Sequence, residues 1–371
     1  MIKFFLLSLT IFLYFLANFY VFNHLYTLLS GLSFPITGIF FLLVFFLPLS
    51  FILFLLLSKK LPIVPATFFY KVSTGWPIVL IYLVFLFIIY DGLHLLNRYV
   101  DFISENILKS KYNIVLILCL VVCICIYGYR NYLNKRRIHL KLSIHKKLTN
   151  PLKIIVISDL HLGYAIQKRE LICWINKINN EQPDLVLIVG DIIDTNVIPL
   201  RYFELEKYLK KIKSRLGIYS CLGNHEYLSG VTDSIDFIKS AGINLLRDSS
   251  VLIDTGVYIV GRDDRTNGLR KPLSELIKDL DTSKPIIVLD HQPYHLEESE
   301  LNQVDVQFSG HTHQGQVWPI SLIANSIFEK SHGYLKKGNT HIYVSSGIGI
   351  WGGRFRIGTN SEYVVVDLFQ D

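Results

Sequence analysis

"KIIVISDLHLG", Lys153 to Gly163, sets the reading of this chain. Ile154 to Ile157 is an unbroken apolar run rich in β-branched residues, the pattern of a strand buried on both faces. Directly after it stand a carboxylate and an imidazole, Asp159 and His161. In α/β proteins the carboxyl ends of strands are where ligands bind, so a polar pair at that point is a candidate for chemistry.

The arrangement repeats along the chain. "LVLIV" runs into Gly190-Asp191-Ile192-Ile193-Asp194, "IYSCL" into Gly223-Asn224-His225-Glu226, "PIIVL" into Asp290-His291, and "VDVQFS" into Gly310-His311-Thr312-His313. Further strands are expected at "VLID" and "VYIVG", which flank a Thr-Gly turn, and at "HIYVSS" and "EYVVVDLF". Helical periodicity near residues 171–179, 205–213, 234–240 and 273–280 separates several of them. The expected fold class is therefore a layered α/β (α+β) sandwich, with helices outside a mixed sheet system. Five polar strand ends converging on one crevice predict a single site.

Asp159, His161, Asp191, Asn224, His291, His311 and His313 offer carboxylate, imidazole and amide-oxygen donors, a mixture suited to borderline first-row divalent ions. One ion cannot use them all. Two can if a carboxylate is shared, and ions about 3.5–4 Å apart activate a bridging water and hold phosphoryl oxygens for in-line displacement. Gly190, Gly223 and Gly310, each just ahead of its donors, suit tight turns into such a site. The expected cofactors are two divalent metal ions: manganese, iron or zinc.

The ordered set D-x-H, G-D-x-x-D, G-N-H-E, a lone His and G-H-x-H resembles the calcineurin-like metallophosphoesterase family, over roughly residues 153–368. The resemblance implies one ion held by Asp159, His161, Asp191 and His313. A second would be held by Asp191, Asn224, His291 and His311, with Asp191 as the bridge. It further implies that His225 protonates or stabilises the leaving oxygen, oriented by Asp194; an imidazole can supply a proton near neutral pH. Glu226 reads as structural.

Two positions depart from the family pattern. Thr195 stands where many relatives carry Arg to grip phosphate, and Asp290 precedes His291, where it could support a ligand histidine. Arg262 and Arg265, in "GRDDRTN", are the candidates for the missing clamp, because guanidinium grips phosphate bidentately. "GIGIWGG", Gly347 to Gly353, contains G-x-G-x-x-G but leads to a final strand instead of opening a helix, so it is no dinucleotide fingerprint. The apolar residues 317–334 read either as a lid over the site or as a loop packed on the core, and packing is the preferred reading.

The front third is different. Apolar runs at residues 4–22, 36–57, 78–90 with a fringe to 96, and 113–129 are of the length that crosses a bilayer core of about 30 Å. A cleaved leader is disfavoured for the first run, since aromatics continue through Tyr20 and Phe22 with no small-residue cleavage site. Lys3, Lys59, Lys60, Lys71 and "RNYLNKRR" fall on one side and only Arg98, Lys109 and Lys111 on the other, which predicts a cytoplasmic catalytic region. Arg130 to Lys153 has eight basic residues and no acidic one. The rest of the chain carries more acid than base, so the net charge of +7 belongs to the front and gives no support to a nucleic-acid partner. Cys119, Cys123 and Cys125 lie in the fourth run, while Cys173 and Cys221 stand apart, with no disulfide or zinc spacing.

The expected organisation is a four-helix membrane domain at 1–129, a basic juxtamembrane collar at 130–152 and a metallophosphoesterase domain at 153–371. The expected function is that of a membrane-anchored dinuclear phosphoesterase acting on a phosphomonoester, phosphodiester or pyrophosphate. Its partners would be the lipid bilayer and a phosphorylated small molecule or lipid. Some relatives with similar motifs cleave UDP-diacylglucosamine, so the resemblance extends the substrate range to lipid-linked phosphates. The alternative is a membrane scaffold or sensor that binds metal without catalysis.

Overall fold

The computed structural model describes residues 2–29, 34–58 and 60–371. Two compact units divide the chain, Met1–Arg130 and Asn131–Asp371. In the first, among the described residues, four helices are long and apolar enough to cross a membrane: Ser8–Leu29, Ile36–Leu57, Ile63–Val100 and Lys111–Leu133. The third is longer at both ends than its apolar run suggested. Large side chains such as Leu42, Phe45 and Phe19 are exposed, as lipid-facing residues should be, since an apolar solvent exerts no force to bury them. Polar contacts tie these helices together instead. Trp76 Nε1 donates to Asn18 Oδ1 at 2.9 Å, and the Asp91 carboxylate accepts from Tyr20 Oη at 2.5 Å with His24 Nε2 at 3.2 Å. Lys59, one of the charges used for orientation, lies outside the described residues, as does the side chain of Lys3.

The second unit is built from twelve strands: β1 (Lys135–Ile144), β2 (Leu152–Ile157), β3 (Leu185–Val189), β4 (Ile218–Cys221), β5 (Asn244–Leu245), β6 (Ser249–Leu252), β7 (Tyr258–Gly261), β8 (Ile286–Leu289), β9 (Val306–Ser309), β10 (Gly333–Lys337), β11 (Thr340–Val344) and β12 (Ser361–Gln370). They form two six-stranded sheets, in the orders β1-β12-β2-β3-β4-β5 and β10-β11-β9-β8-β7-β6. β2 to β5 run parallel, as do β7, β8, β9 and β11. One apolar core lies between the sheets, with Ile154, Val156, Leu187 and Val189 meeting Ile259, Ile287, Leu289 and Phe308. The Lys168–Asn180 helix adds Leu171, Trp174, Ile175 and Ile178 to the buried set, the i, i+3, i+4, i+7 face of an amphipathic helix.

Residues 130–152 are not a free basic collar. Residues 135–144 of the segment are β1, which pairs in parallel with β12 over ten residues. Leu142 and Ile144 are buried while Arg137, His139 and Lys141 face out, a period-two pattern that the charge count concealed. Arg137 grips Glu181 with two nitrogens at 2.7 and 2.9 Å, and Lys146 Nζ reaches Asp305 at 2.8 Å. Both charges serve this unit's own carboxylates.

Candidate metal centre

Each candidate donor stands two to four residues past a strand, and most of the turns that carry them are under conformational constraint. Asp159, His161, Asp191, His311 and His313 all have positive φ, between 46° and 71°. L-residues pay roughly 1–2 kcal/mol for that conformation, and such strain accumulates where surrounding structure holds side chains in place for a purpose. Gly190 also has positive φ, 70°, and a Cβ there would come within 2.7 Å of His291 Nδ1. At Gly223 the reason is room rather than turning: its Cβ would lie 2.2 Å from Asp191 Oδ1.

The turns bring the donors together. Three groups each offer ligand atoms within 4.8 Å of one another: Asp159, His161 and His313; His161, Asp191 and His225; Asp191, His291 and His311. His161 Nε2 faces His313 Nε2 at 3.0 Å, with Asp159 Oδ1 at 3.9 and 3.5 Å from the two nitrogens. Asp191 Oδ2 stands between the groups, 3.7 Å from His161 Nε2 and 3.1 Å from His291 Nε2. Asn224 Oδ1 lies 2.8 Å from His311 Nδ1. All seven sequence-expected donors thus meet at one edge of the sandwich. Facing imidazole nitrogens ringed by carboxylates are satisfied by a shared cation, and this donor set fits a borderline divalent ion.

Burial raises the Asp159 pKa, and Asp191 adds repulsion. Burial also works against Asp191, but His291 and His225 hold it well below the usual carboxylate range. Burial pulls His311 down to about 4, and with help from His161 and Arg356 it holds His313 well below the usual imidazole range. These two imidazoles are therefore neutral, with lone pairs available. At His225 burial is outweighed by Asp191 and Asp194, which leave the imidazole raised.

His225 Nδ1 donates to the backbone carbonyl of Asp194 at 2.6 Å, while the Asp194 carboxylate is 3.9 Å away. Orientation comes from the main chain of Asp194, and that bond leaves Nε2 unused. The Glu226 carboxylate accepts from the amides of Asp191, Ile192, Ile193 and Gly223 at 2.7 to 3.0 Å, so it pins two donor turns together. Burial and Asp191 push its pKa up to about 7, against the pull of those donors.

Three expectations are corrected. Arg262 is buried and donates from one nitrogen to Asp290 at 2.9 Å and Glu298 at 2.8 Å, so it cannot grip phosphate. Asp290 holds Arg262 and Arg270, while His291 Nδ1 bonds to the carbonyl of Val189 at 2.8 Å. Residues 317–334 are packed only in part: Val317 and Ser331 are buried, and the Ile320–Ile327 helix buries only Ala324. Arg265 is exposed, its guanidinium 4.3 Å over the Tyr294 ring; Tyr294 in turn packs on Phe328, and Phe328 on His311.

The sequence reading missed Arg356. This fully buried guanidinium donates to the carbonyls of His313 at 2.6 Å, Gly349 at 3.2 Å and Ser346, and so fixes a donor turn from behind. Nothing about "GGRFRIG" marks one arginine as internal. The glycine-rich stretch before it packs on the Asp159 turn, where a Cβ on Gly347 would lie 2.8 Å from Asp159 Cβ. It is the wall of the site and binds no dinucleotide through a helix. Trp351 adds a ring 6.4 Å from that of His225.

A family model described as calcineurin-like phosphoesterase matches residues 152–315. An uncharacterized metallophosphoesterase of Aquifex aeolicus is 33% identical over 225 residues, 58% of this chain and 85% of that protein. Another, from Campylobacter jejuni, is 36% identical over 231 residues, 60% of each. A Danio rerio transmembrane protein with metallophosphoesterase domain is 29% identical over 275 residues, 69% of this chain and 62% of that one. The chain spans about three-fifths of the length of the Campylobacter jejuni and Helicobacter pylori relatives it matches.

Proposed function

Because the chain belongs to the calcineurin-like phosphoesterase family, we propose that it is a membrane-anchored, metal-dependent phosphoric ester hydrolase. The observation that carries this reading is the meeting of three Asp/His groups around Asp191 and His161 at the carboxyl ends of the parallel strands. Asp159, His161, Asp191 and His313 would hold one divalent ion, and Asp191, Asn224, His291 and His311 a second. Bound ions of this kind supply an activated water and neutralise phosphoryl charge.

The chain's own residues do the rest. Asp191, kept anionic, lies between the two groups and is the donor both can share. His225, with Nδ1 committed to the Asp194 carbonyl and its pKa raised, carries a proton on Nε2 for the departing alkoxide. Glu226 keeps the Asp191 and Asn224 turns in register. Arg265, on its Tyr294 platform, remains the candidate clamp for phosphate.

Residues 1–129 would serve as a multi-pass anchor, with the catalytic unit on the cytoplasmic side that Lys60, Lys71 and the basic residues after the fourth run favour. Anchoring favours a lipid-linked phosphate or pyrophosphate such as UDP-diacylglucosamine as substrate. The test uses the full chain in detergent micelles with bis-p-nitrophenyl phosphate and manganese. Nitrophenolate release that disappears with chelator and in Asp191→Asn supports the hydrolase. Equal release by wild type, Asp191→Asn and buffer would refute it.

A further inference from the structure

The Ile320–Ile327 helix faces water with the wrong side chains. Trp318, Ile320, Leu322, Ile323 and Ile327 are 37% to 59% exposed, within ten residues of one another. Other exposed apolar residues of the same unit, such as Leu252, Leu269 and Leu301, stand apart. Residues 317–328 contain no charge, and the first acidic neighbour, Glu329, is paired with Lys337 at 2.7 Å. The helix is well fastened on its inner side: Gly315 leaves room for Ser321, and Ser331 Oγ bonds to Asn325 while its carbonyl accepts from Thr312. A contiguous apolar patch on a firmly held element marks a surface that meets something apolar.

What it meets is indicated by where the membrane helix ends. The Lys111–Leu133 helix, which carries the fourth apolar run, ends with Asn131 Nδ2 donating to the carbonyls of Arg356 and Thr359 at 2.9 and 2.7 Å. The same 356–359 loop holds the start of the apolar helix. Trp318 N donates to Ile357 O at 2.7 Å, Thr359 Oγ1 bonds to Gln316 O, and Gly358 leaves room for the Trp318 side chain. One loop therefore holds both Asn131, which follows the fourth apolar run in sequence, and the start of the exposed patch. A helix that is apolar on one face and led by Trp is suited to the headgroup boundary, where an indole buries its rings and keeps its N–H wet.

We propose that the outer face of the Ile320–Ile327 helix, with Trp318, docks into the headgroup–acyl boundary of the bilayer that anchors the chain. The inference does not rest on catalysis. Its consequence for the metal centre is one of reach: Thr312 and His313 lie in the turn that the helix covers, so docking holds the crevice against the lipid surface.

The test reads docking without turnover. The full chain is reconstituted in phosphatidylcholine vesicles with and without a lipid brominated on its acyl chain, and tryptophan emission is compared between wild type and Trp318→Phe. The emission assigned to Trp318 by difference should fall by about twofold with the brominated lipid, as for an indole at the acyl boundary. In Ile323→Glu that quenching should be lost, with emission from the buried Trp174 unchanged as a check on folding. Equal Trp318 emission with and without bromine overturns the proposal. So does an Ile323→Glu chain that keeps its quenching, or one whose main change is dissociation of an oligomer, which would assign the patch to a second copy.

Discussion

The two units handle the same kinds of side chain in opposite ways. In Met1–Arg130, many large Phe, Leu and Ile side chains are exposed, and polar groups bond to one another between helices, as with Trp76 on Asn18 and Tyr20 on Asp91. In Asn131–Asp371, the apolar residues of β2, β3, β8 and β9 are sealed between sheets and the polar groups gather at strand ends. The difference lies in the solvent each unit is built for: water drives apolar area inward, whereas lipid leaves packing and sparse hydrogen bonds to hold helices together. The Ile320–Ile327 helix is the exception that follows the membrane unit's rule inside the other one.

That division of labour can be broken experimentally. The largest effect is expected from Asp191→Asn, which should lower metal-dependent turnover by about a thousandfold, roughly 4 kcal/mol of barrier, while the protein still partitions with membranes on extraction. Loss of membrane partitioning in that variant would mean the units are not separable. Next, Arg356→Met should lower the thermal stability of the second unit by roughly 3 kcal/mol, since it leaves the carbonyls of His313, Ser346 and Gly349 without their donor. Trp174 emission would follow that transition, and a helical circular-dichroism signal from the first unit should be unaffected.

By contrast, Asn18→Val in the membrane unit should cost only about 0.6 kcal/mol in a denaturant titration in micelles, the usual worth of an interhelical hydrogen bond in lipid. A cost of several kcal/mol would show that the membrane helices depend on polar bonds far more than the comparison implies. The smallest effect is a pH response confined to the second unit. His341 ties β11 to β1 through Ser143 O at 2.8 Å and accepts from Tyr334, and burial lowers its pKa. The unfolded chain therefore takes up this proton first as pH falls below the ordinary imidazole range, and stability present above that range is lost toward the folded pKa. His341→Gln should flatten that acid-side decline, measured as Tm between pH 7 and 5.

Much of the candidate site could be read along the chain because its signal is local. Strand, glycine and donor follow one another within a few residues at Asp159, Asp191, Asn224 and His311, and each segment reports its own part. Arg262 and Arg265 sit three residues apart in one loop and look equivalent by type, yet the fold buries one against Asp290 and leaves the other over Tyr294. β1 was hidden for a related reason: its outward face is so basic that the alternation beneath it reads as a charge run.

The sequence by itself determined four apolar runs, the alternation of buried strands with helices, and the identity and order of the seven candidate donors, because each depends on short-range periodicity and residue type. Only the tertiary structure decided which arginine is internal, that Arg356 supports His313, that the Asp194 carbonyl orients His225, and that the helix after the final histidine motif turns its apolar face outward. Those outcomes depend on which distant segments come to lie against one another, and a residue's type does not record its neighbours in space.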